Sequence, residues 1–495
     1  MNIYERKHTS LLIALVLLFT AGMLLVMPAQ TYPFPNEQIE GIWQGTLKHS
    51  GVELGIIFTI SRSPDKTLTA TMDVPEQNAT GVPVDKISFD NRELLLEISP
   101  IEAVFKGRLS EDGVTINGEF IQGGMTLTLV LKRSQTKLMI KRPQEPKEPF
   151  PYRSEDVSYK NTEAGITLGG TLTYPSSEGK FPAVLLLSGS GAQDRNETVF
   201  GHKPFLVMAD YLTRRGIAVL RVDDRGIGGS TGRFEEATAE DYAADALAGI
   251  DYLKSRNEIQ GKSIGLVGHS EGGMIASMTA VQSPDIAFIV LIASPALPIK
   301  EMEYSEEART LKAQGASDSL IKKNRILQDD LFIVIGRETD SATVRNSFTS
   351  IITEFFKGLS EEERKITGIS RDNLNDIIRD RFQRLHSPWF RFYLDYDPGK
   401  VLQKVISPVL AVYGEKDVQV PPGENLPAAR QALKSGSNKN FTVKELPGLN
   451  HLLQTAEKGD ISEYGQIEET ISPKALKIIV DWILERASEN RHPRT

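Results

Sequence analysis

The second half of the chain alternates short apolar segments with segments of helical spacing. Residues 183–187, 217–222 and 264–267 are almost entirely apolar, and stretches with helical periodicity lie between and after them. A strand that is apolar on both faces must be covered on both sides, which is the arrangement of parallel sheets in α/β proteins. The sequence therefore predicts an α/β domain with a mostly parallel sheet.

Two other regions depart from this alternation. Residues 36–141 contain short strands separated by turn residues such as Asp112-Gly113, a spacing typical of an antiparallel, closed or nearly closed β-barrel. Residues 300–399 are rich in charge and carry apolar residues at helical spacing. They are predicted to form a helical cap inserted into the α/β domain.

These patterns divide the 495 residues into five parts. They are a signal peptide or membrane anchor (1–30), a β-barrel-like accessory domain (36–141), a Pro-rich linker (142–153), the α/β domain (154–299 and 400–490) and the helical cap (300–399). The prolines make the linker a semi-rigid spacer.

The N-terminal segment is typical of an export signal. Arg6, Lys7 and His8 precede an apolar run at residues 11–27, and Ala29 suits the last position before a cleavage site. This layout predicts export by a cleaved signal or by an uncleaved anchor. The expected location is periplasmic, extracellular or attached to the membrane through this segment.

Composition excludes several kinds of chemistry. The chain has no cysteine, which rules out disulfides, thiolate metal sites and a cysteine nucleophile. Its 57 Lys+Arg and 65 Asp+Glu give a net charge of −8, which argues against a nucleic-acid partner. The glycine-rich segments at 223–230 and 261–263 lack the full spacing of a dinucleotide fingerprint or a phosphate loop. No metal or cofactor is expected.

Gly-x-Ser-x-Gly occurs at three serines, Ser230, Ser263 and Ser270. A nucleophilic serine on such a turn needs a strand directly before it and a helix directly after it. The match at Ser263 opens a strand, and no helix of small residues follows Ser230. Ser270 has the strand at 264–267 and a helix of small and apolar residues at 273–280. Ser270 is therefore the predicted nucleophile.

A serine nucleophile needs a base, and the base needs an acid that fixes its tautomer. His451 is the candidate base because it lies in a loop after a strand and before the last helix. Asp417, just past another strand, is the candidate acid, and Glu415 is its near competitor.

The oxyanion of such a reaction needs two backbone N–H donors. One is predicted at Glu271, the residue after the candidate nucleophile. The other is predicted in the glycine-rich loop at 188–195, where Ser190 is preferred and Gly191 is the alternative.

Together these segments resemble the serine-dependent α/β-hydrolase superfamily. The resemblance rests on the chain order Ser, Asp, His and on five segments. The segments are residues 188–195, 224–230, 268–272, 414–420 and 450–451. It is nearest to exported bacterial esterases and to S9- or S33-like peptidases with an N-terminal β-domain, and it covers residues 155–488. The chain departs from many relatives at Ser188-Gly, where they have His-Gly.

The resemblance implies an α/β-hydrolase fold and a serine hydrolase that cleaves carboxylic esters through an acyl-enzyme. Its substrate would be a small-molecule acyl ester or amide. A peptidase, an amidase or an acyl-thioesterase using the same residues stays open, as does a non-catalytic binding protein. Caps of this superfamily form lids over the acyl pocket, so four aromatic residues are expected either to line a pocket or to form the cap core: Trp389, Phe390, Phe392 and Tyr393.

Overall fold

The computed structural model describes residues 39–49, 52–63, 65–77, 79–137, 141–337 and 341–491. The predicted signal or anchor at residues 1–30 lies outside the described residues. Within the described ranges, no helix combines the length and the apolarity that crossing a membrane requires.

The first sheet of the described chain has nine antiparallel strands. They are β1 (Gly41–His49), β2 (Val52–Arg62), β3 (Leu68–Val74), β4 (Ala79–Val84), β5 (Lys86–Asp90), β6 (Glu93–Ile98), β7 (Ala103–Leu109), β8 (Thr115–Gln122) and β9 (Met125–Ser134). The order is β4-β3-β2-β1-β9-β8-β7-β6-β5, so the pairing of β1 with β9 joins the two halves. Trp43, Phe58 and Phe105 fill the interior. The predicted nearly closed barrel is confirmed.

The second sheet has eight strands among the described residues. They are β10 (Tyr152–Asn161), β11 (Ile166–Pro175), β12 (Phe181–Leu187), β13 (Ala218–Val222), β14 (Ile259–His269), β15 (Ile289–Ile292), β16 (Val409–Gly414) and β17 (Phe441–Leu446). Their order is β10-β11-β13-β12-β14-β15-β16-β17. Pairing is parallel from β13 to β17 and antiparallel at β10 and β11. This is the predicted α/β-hydrolase fold.

Helices cover both faces of this sheet. The helices of the described chain are α1 (Pro204–Thr213), α2 (Ala239–Ser255), α3 (Glu271–Gln282), α4 (Ile299–Ala313), α5 (Asp318–Arg337), α6 (Ser341–Lys357), α7 (Glu361–Thr367), α8 (Leu374–His386), α9 (Pro388–Tyr393), α10 (Pro398–Leu402), α11 (Pro422–Ser435), α12 (Ile461–Tyr464) and α13 (Pro473–Arg491). Along β12, Ala183 and Leu185 belong to the core under α2 and α3, whereas Val184 and Leu186 pack in the core under α1 and α13. Both faces are buried, which explains the continuous apolar runs.

Helices α4 to α10 lie between β15 and β16 in the chain. Much of this insertion packs around a hydrophobic core of its own, which includes Leu331, Phe348 and Phe382. The helical character predicted for this stretch is confirmed. The division of the chain into domains at the stated boundaries stays a prediction.

Arg142, at the start of the Pro-rich linker, is fastened to the α/β part of the chain. Its guanidinium donates hydrogen bonds of 2.7–3.1 Å to four main-chain carbonyl oxygens, those of Phe200, Gly201, Gly465 and Ile467. The linker is therefore anchored at this point by a charged side chain, in addition to being stiffened by its prolines.

Replacing this anchor is expected to destabilise the protein. Arg142→Met should lower the free energy of unfolding by about 2–4 kcal/mol, because it leaves carbonyl groups without their charged donor. Arg153→Met is the matched control, since Arg153 is exposed on β10 and its loss should cost less than about 0.5 kcal/mol. Denaturant unfolding followed by fluorescence measures both, and equal effects would contradict the anchor.

Candidate active site

Ser270 lies in a strained turn between β14 and α3. Its backbone has φ 53° and ψ −117°, although a non-glycine residue at positive φ usually costs about 1–3 kcal/mol. Its N–H donates to the carbonyl of Ile292 on the neighbouring strand at 2.8 Å, and its carbonyl accepts from Gly273 N–H at 3.0 Å. The sheet and the helix thus hold the serine in this conformation.

The two flanking glycines are required by close contacts. A Cβ at position 268 would lie 2.1 Å from the carbonyl oxygen of Gly272, and a Cβ at position 272 would lie 2.0 Å from the carbonyl oxygen of Leu187. Both distances are far inside van der Waals contact, so neither Gly268 nor Gly272 can carry a side chain here. The Gly-x-Ser-x-Gly pattern is therefore a steric requirement of this turn.

The other two serines of this pattern are in different surroundings. The hydroxyl of Ser230 is buried and donates to the carbonyl of Asp223 while it accepts from Gly169 N–H. Ser263 is fully buried within β14, and its hydroxyl has no hydrogen-bond partner in the described structure. Neither lies on a strand-to-helix turn.

His451 and Asp417 form a buried pair. Nδ1 of His451 lies 2.8 Å from Oδ2 of Asp417, and the two side chains are 6% and 0% exposed. The other carboxylate oxygen of Asp417 accepts from the N–H groups of Gln419 and Val420 at 2.9 and 2.8 Å. Because a carboxylate accepts the Nδ1 proton, Nε2 is left as the basic nitrogen. Glu415, the competitor from sequence, instead accepts from Gly448 N–H.

The glycine-rich loop after β12 is held by Asp224. One carboxyl oxygen of Asp224 accepts from Ser188 Oγ at 3.1 Å, and the other accepts from Gln193 N–H at 2.9 Å. Ser190 and Gly191, the two alternatives for the second oxyanion donor, both lie in this loop and line the same cavity as Glu271. The structure thus brings the predicted donors to one cavity without choosing between Ser190 and Gly191.

A cavity of about 730 Å³ lies between this loop and the inserted helices. Its lining includes Phe234, Tyr242, Ile275, Phe382 and Trp389, together with Arg345 and His386. Of the four aromatic residues singled out in the sequence, Trp389 lines this cavity. Phe390 packs in the core of the insertion, and Phe392 packs against Tyr393.

The side chain of Glu271 is a feature that the sequence did not reveal. Its Oε1 accepts hydrogen bonds from Trp389 Nε1 at 2.7 Å and from the Tyr393 hydroxyl at 2.8 Å. Burial raises the pKa of Glu271 to about 7, although these two neutral donors oppose the shift. Burial likewise raises the pKa of Asp224 to about 7, and the nearby charge of Glu271 contributes.

A buried histidine in the loop before α1, His202, is a structural residue. Its ring nitrogens lie 2.9 Å from the Thr470 hydroxyl and 2.9 Å from the carbonyl of Tyr464. Burial lowers the pKa of His202 to about 4, so the ring is neutral near pH 7. Within the described residues, no group of His, Asp and Glu side chains is arranged to hold a metal ion.

A family model described as "Serine aminopeptidase, S33" matches residues 204–362. This match includes Ser270 and ends before Asp417 and His451. The chain is also similar to esterase EstD of Thermotoga maritima, with 24% identity over 341 residues that cover 68% of this chain and 69% of EstD.

Other relatives match over shorter lengths. An uncharacterized protein of Mycobacterium tuberculosis is 34% identical over 129 residues, which are 26% of this chain and 42% of the relative. The chain therefore matches less than half of that protein. Among solved structures, the match with an esterase of Pyrococcus furiosus covers 71% of this chain and 99% of the esterase chain, with 17% identity and a TM-score of 0.41.

The raised pKa of Glu271 predicts a pH-dependent effect on stability. Below pH 4.5 the carboxyl is protonated in both folded and unfolded chains, and stability is lost as the pH rises through about 7 because only the unfolded chain ionises freely. Glu271→Gln has no such loss. The unfolding free energy of Glu271→Gln minus that of the wild type should therefore increase by about 2–3 kcal/mol between pH 5 and pH 8.5.

The matched control for this measurement is Glu235→Gln, because Glu235 is an exposed carboxyl on the rim of the same cavity. Its stability relative to the wild type should not change between the two pH values. Equal changes for Glu271→Gln and Glu235→Gln would contradict a buried carboxyl with a raised pKa.

Proposed function

We propose that this serine hydrolase of the α/β-hydrolase superfamily cleaves carboxylic esters through an acyl-enzyme formed on Ser270. One observation carries the proposal. The loop with the buried Asp417–His451 pair is tied to the residue before Ser270, because Nε2 of His269 lies 3.1 Å from the carbonyl oxygen of His451. This contact supports a site in which the candidate nucleophile, base and acid act together.

The proposed reaction proceeds in two halves. Ser270 Oγ attacks the acyl carbon, and His451 Nε2 takes its proton and then delivers it to the departing alkoxide. Asp417 stabilises the imidazolium that forms meanwhile. The N–H of Glu271, with that of Ser190 or Gly191, holds the oxyanion. Water, activated by His451, then attacks the acyl-enzyme and releases the carboxylic acid and the free serine.

The cavity supports a small acyl ester as substrate. Its volume of about 730 Å³ is in the range of pockets for small organic ligands, and its walls include several aromatic and aliphatic side chains. The similarity to an esterase supports an ester as the scissile group. A non-catalytic binding protein would need neither the strained serine turn nor the buried carboxylate–histidine pair.

A second candidate is an amidase or peptidase that accepts a free amine. Three acidic residues, Asp224, Glu235 and Glu271, line the cavity. A cationic amino group near these carboxyls would favour their ionised forms. The family description as a serine aminopeptidase also supports this alternative.

An exported or membrane-attached location is proposed from the N-terminal sequence alone. The charged residues at 6–8 and the apolar run at 11–27 support it. It stays a prediction.

Removal of the candidate nucleophile is expected to abolish activity. Ser270→Ala should lower kcat for p-nitrophenyl butyrate by about 10³-fold or more, because no acyl-enzyme can form. It should also prevent labelling by a fluorophosphonate probe. Ser263→Ala is the matched control, because its buried hydroxyl lies in the same sequence pattern and makes no hydrogen bond. Comparable activity of Ser270→Ala and wild type would refute the proposal.

Substrate comparison separates the two candidate functions. If the protein is an esterase, kcat/KM for p-nitrophenyl butyrate should exceed that for aminoacyl p-nitroanilides by about 10-fold or more, and N-acetylation of the anilides should change little. A preference for the free amine, lost in Glu235→Gln or Glu271→Gln, would favour the aminopeptidase alternative instead.

A further inference from the structure

A second carboxylate–histidine pair lies beside the candidate active site. Nδ1 of His269 is 2.8 Å from Oε1 of Glu197, and the two side chains are 10% and 3% exposed. His269 is the last residue of β14, directly before the candidate nucleophile, and Glu197 lies in the long loop between β12 and α1. The ring of His269 is 4.8 Å, centroid to centroid, from that of His451. The reaction described above gives neither side chain a role.

The pair joins three segments that are distant in the chain. Nε2 of His269 faces the carbonyl oxygen of His451 at 3.1 Å, so it contacts the loop of the candidate base. The same Oε1 of Glu197 accepts from Gly189 N–H at 2.7 Å, so it contacts the candidate oxyanion loop. One ion pair thus touches the strand end before Ser270 and both loops that must be aligned with it.

The partners indicate the protonation state of the pair. A carbonyl oxygen only accepts, so Nε2 of His269 carries a proton. An ionised Glu197 can accept from Gly189 N–H and from Nδ1 of His269 together, so all three hydrogen bonds are satisfied when the ring is an imidazolium.

Electrostatics agree with this assignment. Burial lowers the pKa of His269, but the charge and hydrogen bond of Glu197 outweigh it and raise the pKa above its usual value. The carbonyl of His451 and the more distant carboxylate of Asp417 act in the same direction. The titratable groups that face His269 are therefore Glu197, His451 and Asp417.

The backbone of Glu197 is also unusual. Its φ is 53°, in the left-handed region that non-glycine residues seldom occupy, and its N–H donates to the carbonyl of Asp194 at 2.9 Å. Such strain persists where the surroundings hold a residue in place, and it clusters at functional sites. A buried carboxylate in a strained conformation is explained here by the contacts that it makes on both sides.

We propose that Glu197 and His269 are positioning residues that fix the main chain of His451 and of the oxyanion loop relative to Ser270. Neither touches the substrate, and both act through the main-chain atoms of Gly189 and His451. This inference rests on the proposed function of Ser270, Asp417 and His451. Loss of the pair should misalign base and oxyanion donors, which lowers the rate of the chemical step more than it weakens substrate binding.

The first test is kinetic. Glu197→Gln keeps the size and one acceptor oxygen but removes the charge. Its kcat for p-nitrophenyl butyrate should fall by about 10-fold or more while KM changes by less than about 2-fold. Glu145→Gln is the matched control. Glu145, in the linker, is also a half-buried carboxylate in an ion pair, and its partner is Lys203, the residue directly before α1. It should keep the wild-type kcat.

The second test is spectroscopic and does not depend on activity. In a pH titration of the histidine-ring ¹⁵N chemical shifts, the signal assigned to His269 by its absence in His269→Gln should keep its proton to a higher pH than a free histidine does. In Glu197→Gln that signal should lose its proton at a lower pH than in the wild type. The same spectrum can be recorded on Ser270→Ala, so it remains informative for an inactive protein or for a Glu197 variant of low activity.

Two outcomes would overturn the inference. They are a wild-type His269 ring that loses its proton at or below the pH at which a free histidine does, and an unchanged kcat in folded Glu197→Gln, with or without a loss of thermal stability. If instead Ser270→Ala retains activity, the proposed function itself fails. The two failures are therefore distinguishable.

Discussion

The strained turn at Ser270 is the constraint on which the arrangement of the site depends. Holding this residue at φ 53° requires a strand and a helix packed so closely that positions 268 and 272 admit only glycine. The hydrogen bond from Ser270 N–H to Ile292 ties the turn to the neighbouring strand. Because parallel strands end at the same edge of a sheet, the segments after β12, β14 and β16 all approach this turn.

This edge of the sheet is crowded with buried ionisable groups whose partners differ in kind. Glu271 and Asp224 receive hydrogen bonds from neutral donors, which do not offset the cost of burying a charge, and their pKa values rise to about 7. His269 has a carboxylate as partner instead, and that charge outweighs its burial. The direction in which each of these pKa values shifts therefore depends on whether the partner that the fold supplies is neutral or charged.

Local sequence was sufficient for much of the fold and for the candidate nucleophile. Apolar runs on both faces predicted a covered parallel sheet, and the strand before Ser270 with the small-residue helix after it separated this serine from Ser230 and Ser263. These inferences succeed because periodicity and the steric demands of a turn are properties of neighbouring residues. The sequence preferred Asp417 to Glu415 as the acid, but both follow the same strand, so local pattern kept Glu415 as a competitor. In the structure, Asp417 is hydrogen-bonded to His451, whereas Glu415 accepts from Gly448 N–H.

The sequence by itself determined the elements, their order and the turn that carries Ser270. Only the tertiary structure decided which distant groups meet there. Trp389 reaches the carboxyl of Glu271 across 118 residues, and His269 reaches the carbonyl of His451 across 182. No local pattern encodes these pairs, because they arise when the sheet gathers its strand ends and the inserted helices pack over them. The physical reason is that periodicity specifies which face of an element is buried, whereas the partner on that face is set by packing of the whole chain.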